Sequence, residues 1–238
     1  MNDYQKIEEE VKNNYSNYSV EEEDPWHHEV EKVIRKRVLK AVNKYTDENS
    51  VILNAGSGGE TYPCKGKIIN LDIVDTNIKH FPNYIVSSIT DIPLEDNSID
   101  MVICVGSVIN YTDAIKALEE FKRILKPSGL LILEFERSNS ADFLWKKEHH
   151  KDMVEVVYDY NDQKHTMIMY GEKFIKKNLR SIGFNIKRKH RYHIASMLAN
   201  RLGASDNIDY KFIHLDWLLY PISYGLAHNI IIRCRKKS

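Results

Sequence analysis

Residues 51–72 constrain this chain more than any other stretch. Val51-Ile-Leu-Asn-Ala55 runs into Gly56-Ser-Gly-Gly59, and a second apolar run, Lys67-Ile-Ile-Asn-Leu71, ends on Asp72. A short apolar run bounded by glycine reads as a buried strand of a parallel sheet. The second strand places a carboxylate at its carboxyl edge, where open α/β sheets bind their ligands. Gly56 and Gly58 let backbone amides approach a ligand closely, and Asp72 can take a ribose diol through two charge-assisted hydrogen bonds. A glycine loop alone says little. One set between a strand and a second strand ending in an acid says much more.

The rest of the chain extends this pattern. Asp24-Pro25 starts a helix, with Val30, Val33, Ile34, Val38, Leu39 and Val42 at helical spacing to about Tyr45. Strands follow at Tyr84–Val86, Asp100–Gly106 and Leu130–Phe135. A helix from Asp113 carries Ile115, Leu118, Phe121, Ile124 and Leu125 and is stopped by Pro127. Alternating strand and helix specify a right-handed α/β sheet. Beyond it, Met153–Tyr158 and His165–Tyr170 read as a β-hairpin, either added to the sheet or arched over it. A helix from about Glu172 is capped by Gly183, strand six begins at Phe184, and Ile230–Cys234 is the last strand. Some forty residues separate those last two strands, too many for a plain connection, and long insertions at a ligand edge usually shape a pocket.

Composition narrows the partners. The 238 residues hold 34 basic and 34 acidic side chains, so no overall positive charge calls for a polyanion. Eight basic residues between Gly171 and His193 against one acid, Glu172, leave RNA or an anionic small molecule open. Equally, they are what a lysine-guarded edge strand looks like. The apolar stretch 215–233 is broken by Asp216, Pro221 and His228, which argues against a membrane span. The N-terminus lacks a signal-peptide pattern, and Cys64, Cys104 and Cys234 are solitary; both point to a reducing, cytoplasmic setting. No Cys/His spacing suits zinc, so no metal is expected.

With these landmarks in order, the chain resembles the class I S-adenosylmethionine-dependent methyltransferases, of the methyltransferase type 11 kind, over roughly 51–136. Leu53–Gly59 resembles the family's motif under the methionine part of the cofactor, and Asp72 its ribose-binding acid. Ser88-Ile89, before Thr90-Asp91, falls where the family contacts adenine; Asn97–Asp100 resembles the stretch before its fourth strand, and Leu125–Gly129 the signature before its fifth. The resemblance implies a Rossmann-like seven-stranded α/β sheet, the class I methyltransferase fold. An N-terminal helical cap would span 1–50. The methyltransferase domain would span 51–238, with a hairpin insertion at about 150–170 and a lid insertion at about 191–228. It implies S-adenosylmethionine as cofactor and S-adenosylhomocysteine as product. The cofactor contacts would be Asn54, Ala55, Gly56, Ser57, Gly58, Asp72, Ile73, Ser88, Ile89, Asp91, Val105 and Gly106.

Several positions depart from the family. Asn54 stands where Asp is common, Glu60 where a third glycine is, and Ser88 where an acid is. Pro63, and only sixteen residues from Gly56 to Asp72, require the first helix to be shortened or lost. A nicotinamide dinucleotide is the competing ligand, but its glycine frame needs a third glycine where Thr61 stands. Methyl transfer needs chiefly a positioned nucleophile, with a general base optional, so no obligatory motif is expected. His149, His150, His190 and His193 are candidates for that base, and Tyr15, Tyr18, Asn110 and Tyr111 for acceptor or cofactor contacts. A small-molecule acceptor on O or N is expected. RNA methylation, or a non-catalytic or dinucleotide-binding role, is the alternative.

Overall fold

A computed structural model describes residues 3–16, 25–160, 163–205 and 208–238. The first strand, β1 (Val51–Ala55), is central, flanked by β2 (Lys67–Asp72) and β4 (Ile99–Cys104), with β3 (Tyr84–Val86) outside β2. On the other side of β4 lie β5 (Leu125–Glu136), β9 (Asn229–Lys236) and β8 (Phe184–Tyr192), which completes a seven-stranded sheet in the order β3-β2-β1-β4-β5-β9-β8. Strands β1 to β5 are parallel, whereas β9 runs antiparallel to both β5 and β8. This is the expected class I methyltransferase architecture.

Pleating sends alternate residues to two cores. Ile52, Met101, Ile103, Leu130 and Ile132 pack with Ile34, Val38, Ala41 and Val42 of helix α2 (Pro25–Tyr45). Leu53, Val102, Cys104, Leu131 and Leu133 pack on the opposite face with the buried stripe of α4 (Ala114–Ile124) and with α5 (Glu172–Ser181). Asp113 caps α4, its carboxylate accepting from the amides of Ile115 and Lys116.

As Pro63 led one to expect, no helix joins β1 to β2. Other elements differ from the sequence reading: only the four-residue α3 (Asp75–Ile78) lies between β2 and β3, so strand–helix alternation is incomplete. Strand β5 starts at Leu125, directly after α4, and the Pro127–Gly129 turn sits inside it with Ser128 at φ +64°. The hairpin β6 (Met153–Tyr160) and β7 (Gln163–Tyr170) forms its own two-stranded sheet, so it arches over the main sheet. Residues 3–15, within the stretch expected as an N-terminal helical cap but given no helix bounds of their own, form helix α1, with Ile7 buried in the main core. The insertion before β9 holds short helices, α6 (Ala195–Arg201) and α7 (Asp216–Leu219), among 3-10 turns. Among the described residues no helix is long and apolar enough to cross a membrane.

Candidate functional site

The glycine loop is tied to β2 by its own amides. Gly56 and Ser57 donate to Leu71 O at 2.8 and 3.0 Å, and Gly58 donates to Asp72 Oδ2 at 2.8 Å. Their amides are therefore engaged within the protein; what the glycines supply is space and left-handed backbone, with φ of +72° at Gly56 and +57° at Gly58. Asn54 explains its own departure from the family pattern. Its amide nitrogen donates both to Glu60 O at 2.8 Å and to Asn70 Oδ1 at 3.0 Å, two donations that an ionised aspartate cannot make. Asp72 is buried and accepts from Gly58 and Val74, one amide on each oxygen, which leaves each a further lone pair. Burial raises its carboxyl above the usual range, against the pull of those amides.

From Asp72 a cavity of about 550 Å3 runs past Gly106, at the end of β4, to the hairpin and to the start of β9. Its far end is polar. Glu134 and Glu136 stand two residues apart on β5 and so share a face. Glu134 is fully buried and accepts from the Ser107 amide (2.8 Å), Tyr192 Oη (3.0 Å) and Asn229 Nδ2 (2.8 Å). Because Asn229 gives its nitrogen to Glu134, its oxygen faces His193 Nδ1 at 2.9 Å. An accepting amide oxygen there places the His193 proton on Nδ1 and the lone pair on Nε2. Burial, then the neighbouring His228, depresses the His193 pKa to about 3, so the ring is neutral at neutral pH. His228 contrasts with it. Burial pulls its pKa down, but the charge and hydrogen bond of Glu136, at 3.0 Å, outweigh this and raise it. Glu136 in turn is held below the usual carboxylate range, because His228, Ser107 Oγ and His193 together outweigh its burial.

The insertion leaves β8 at His193 and returns at His228, whose amide donates to His193 O at 3.1 Å. His193 sits at φ +62°, and its amide, with those of Ile194 and Ala195, donates to the Asp216 carboxylate. Side walls come from Tyr111 and Tyr158, whose hydroxyls lie 2.6 Å apart, and from Met167 and Met169 of the hairpin.

Of the residues expected from sequence, Asn54, Gly56, Ser57, Gly58, Asp72, Ile73, Ser88, Ile89, Val105, Gly106, Tyr15, Tyr111 and His193 line this cavity. Ala55, Asp91, Asn110, His149, His150 and His190 do not. Asn110 is fully buried, bridging Ile168 O and the backbone of Glu136. His149 bonds Gly225 O, His150 bonds Asn139, and His190 lies between the rings of Tyr192 and Tyr220. Tyr18 lies outside the described residues. Sequence reasoning missed Glu8, Glu136, His228 and Asn229. Two acids inside an apolar strand were the available signal for Glu136, and its neighbour Glu134 was on view in the same run. None of the eight basic residues in 173–191 lines the cavity; Lys176 and Arg191 instead bind the buried Glu172, and β8 is the sheet's edge strand.

Residues 53–133 match the family described as methyltransferase domain. The chain is 37% identical over 92 residues to a ubiquinone/menaquinone biosynthesis C-methyltransferase of Haemophilus ducreyi, covering 38% of this chain and 30% of that one. It is 31% identical over 75 residues to a 2-phytyl-1,4-naphtoquinone methyltransferase of Trichormus variabilis, covering 31% and 33%. The chain thus spans about a third of the length of these curated relatives. Among solved structures, an S-adenosylmethionine-dependent methyltransferase from Archaeoglobus fulgidus superposes with a TM-score of 0.53 at 16% identity, covering 86% of this chain and 94% of that one. That likeness is one of fold.

Proposed function

Because this chain carries a domain of the class I S-adenosylmethionine-dependent methyltransferase family, we propose that it methylates a small molecule held between Gly106 and the β6–β7 hairpin. The observation that carries the proposal is the single cavity joining Asp72, Gly106 and His193. Its volume, about 550 Å3, is in the range of small-ligand sites.

The residues fit the cofactor. Ser57 lines the cavity and its buried Oγ has no hydrogen-bond partner among the described residues, while a Cβ at Gly58 or Gly106 would meet nothing within 4 Å, so the loop leaves space for a ligand. Asp72 receives the ribose diol on its remaining lone pairs, and Gly106 leaves room beside the reacting centre. A dinucleotide fits less well: the loop amides are spent on Leu71 and Asp72, and no helix after β1 offers its N-terminus to a pyrophosphate. Bound S-adenosylmethionine supplies a methyl group on a sulfonium, open to in-line displacement. This chain's part is to orient the acceptor and exclude water. The Met167, Met169 and Tyr158 wall takes an apolar or aromatic body, while His193, held in its Nδ1-protonated tautomer by Asn229, presents Nε2 to orient the O–H or N–H of an acceptor through a hydrogen bond. The relatives named for quinone and naphthoquinone methylation support a small-molecule acceptor. None of the basic residues of 173–191 lines the cavity, which argues against RNA as the acceptor.

The test is transfer of radiolabelled methyl from the cofactor into a cell extract separated into metabolites, RNA and protein. Label in the metabolite fraction is expected; label confined to RNA or protein would overturn the small-molecule reading.

A further inference from the structure

On the reading that S-adenosylmethionine occupies this cavity, we infer that Glu8 of helix α1 supplies the carboxylate that recognises the adenine amino group, in place of an acid on the sheet. Ile73, Ile89 and Val11 line the same cavity as Asp72 and offer apolar surface to a planar base, and Glu8 of α1 lines it with them, bonded to Ser88. Position 88, next to Ile89, is a serine. Ser88 Oγ donates to Glu8 Oε1 at 2.9 Å and itself accepts from the Thr90 amide at 3.1 Å; Thr112 Oγ1 donates to the same Glu8 oxygen. Two hydroxyls from two different loops of the sheet thus converge on one oxygen of a carboxylate that belongs to neither loop. This orients Glu8 and leaves Oε2 for a further donor. Among the described residues no cation pairs with Glu8, so the charge is not there to satisfy an ion pair. A purine carrying an exocyclic amino group offers the missing N–H donor. A 6-oxo purine offers a second acceptor and is repelled.

The remaining contacts of α1 show why a helix can do this work. Glu10 accepts from the Thr166 amide at 2.5 Å and from Thr166 Oγ1 at 3.0 Å, and Asn14 donates to Lys164 O at 2.8 Å. Ile7 of the same helix is buried in the main core. Helix α1 therefore spans from the adenine slot to the hairpin that walls the acceptor end, and adenine recognition and closure of the cavity are made by one element.

Calorimetric titration with S-adenosylhomocysteine and with S-inosylhomocysteine, its 6-oxo analogue, tests this in the full chain. A hydrogen bond to a charged group sets the scale, so the unsubstituted protein should prefer the adenosyl ligand by about tenfold or more. Glu8→Gln, whose amide can face either an amino or an oxo group, should collapse that preference to within about threefold. Glu10→Gln loosens α1 without touching the slot and should weaken both ligands by the same factor, keeping the preference. An unchanged preference in Glu8→Gln would overturn the inference while leaving the cofactor reading intact. Failure of the unsubstituted protein to bind either ligand would overturn both.

Discussion

Alanine at Gly56 and, separately, at Gly106 distinguishes a glycine required by packing from one required by a ligand. Both lie at positive φ, +72° and +78°. Placing an L-residue there costs about 1–2 kcal/mol in either case. At Gly56 the added Cβ would stand 2.3 and 2.5 Å from the two Cγ atoms of Val108 and 2.9 Å from its Cβ. Such overlap forces the Val108–Tyr111 turn to shift, adding about 1–3 kcal/mol, for a total of about 2–5 kcal/mol. At Gly106 nothing lies within 4 Å, so only the conformational cost remains, but the methyl enters the cavity. Urea unfolding followed by tryptophan fluorescence, without ligand, should show Gly56→Ala clearly less stable than Gly106→Ala. Adding Val108→Ala removes the two closest overlaps and should recover part of the Gly56→Ala loss, by no more than the 1–3 kcal/mol that the overlap contributes. Gly106→Ala should fold yet bind S-adenosylhomocysteine about tenfold or more weakly. Equal stability losses at the two positions, or full binding by Gly106→Ala, would refute the reasoning.

Three further outcomes follow, two of them from buried groups. Glu172, fully buried, is held at about pKa 2 because Arg191, Arg137 and Lys176 outweigh its burial. A depressed carboxylate stabilises above its unfolded pKa near 4.5 and loses that contribution as pH falls toward 2, here on the order of 3 kcal/mol; Glu172→Gln should flatten that acid arm of the unfolding midpoint. His193, depressed to about 3, binds no proton in the fold where the unfolded chain already does, so stability falls as pH drops from 6.5 toward 3, and His193→Gln should lessen the slope there. Asp113→Ala removes the α4 cap and should lower unfolding free energy by about 1 kcal/mol in the same urea assay.

Where one local signal decides the structure, the sequence was readable. The apolar runs of β1, β2 and β4 are buried on both faces, so their composition alone marks them, and Pro63 correctly announced the lost first helix. The hairpin was visible from its two strands and the Asn161-Asp162 between them, although its separation from the main sheet depends on packing. Within the expected N-terminal cap, α1 was not delimited as a separate helix, because Tyr4, Ile7 and Val11 make only a narrow apolar stripe in an acidic stretch. The site divided in the same way. Gly56, Gly58, Asp72 and Gly106 sit within a short span of chain and carry motif chemistry. Glu8 reaches the cavity from α1, where Ser88 and Thr112 hold it, whereas His193, His228 and Asn229 meet because the insertion closes on itself at the His228 amide. Of the four proposed histidines, location alone could not single out His193; burial beside Asn229 does.

The most direct test of the account is calorimetric titration of the protein with S-adenosylhomocysteine and with NAD, beside Asp72→Asn. The protein should show one saturable S-adenosylhomocysteine site per chain, weakened about tenfold or more by a substitution that removes the carboxylate charge from the diol, and no NAD binding. Saturable NAD binding, or S-adenosylhomocysteine affinity indifferent to Asp72→Asn, would contradict it.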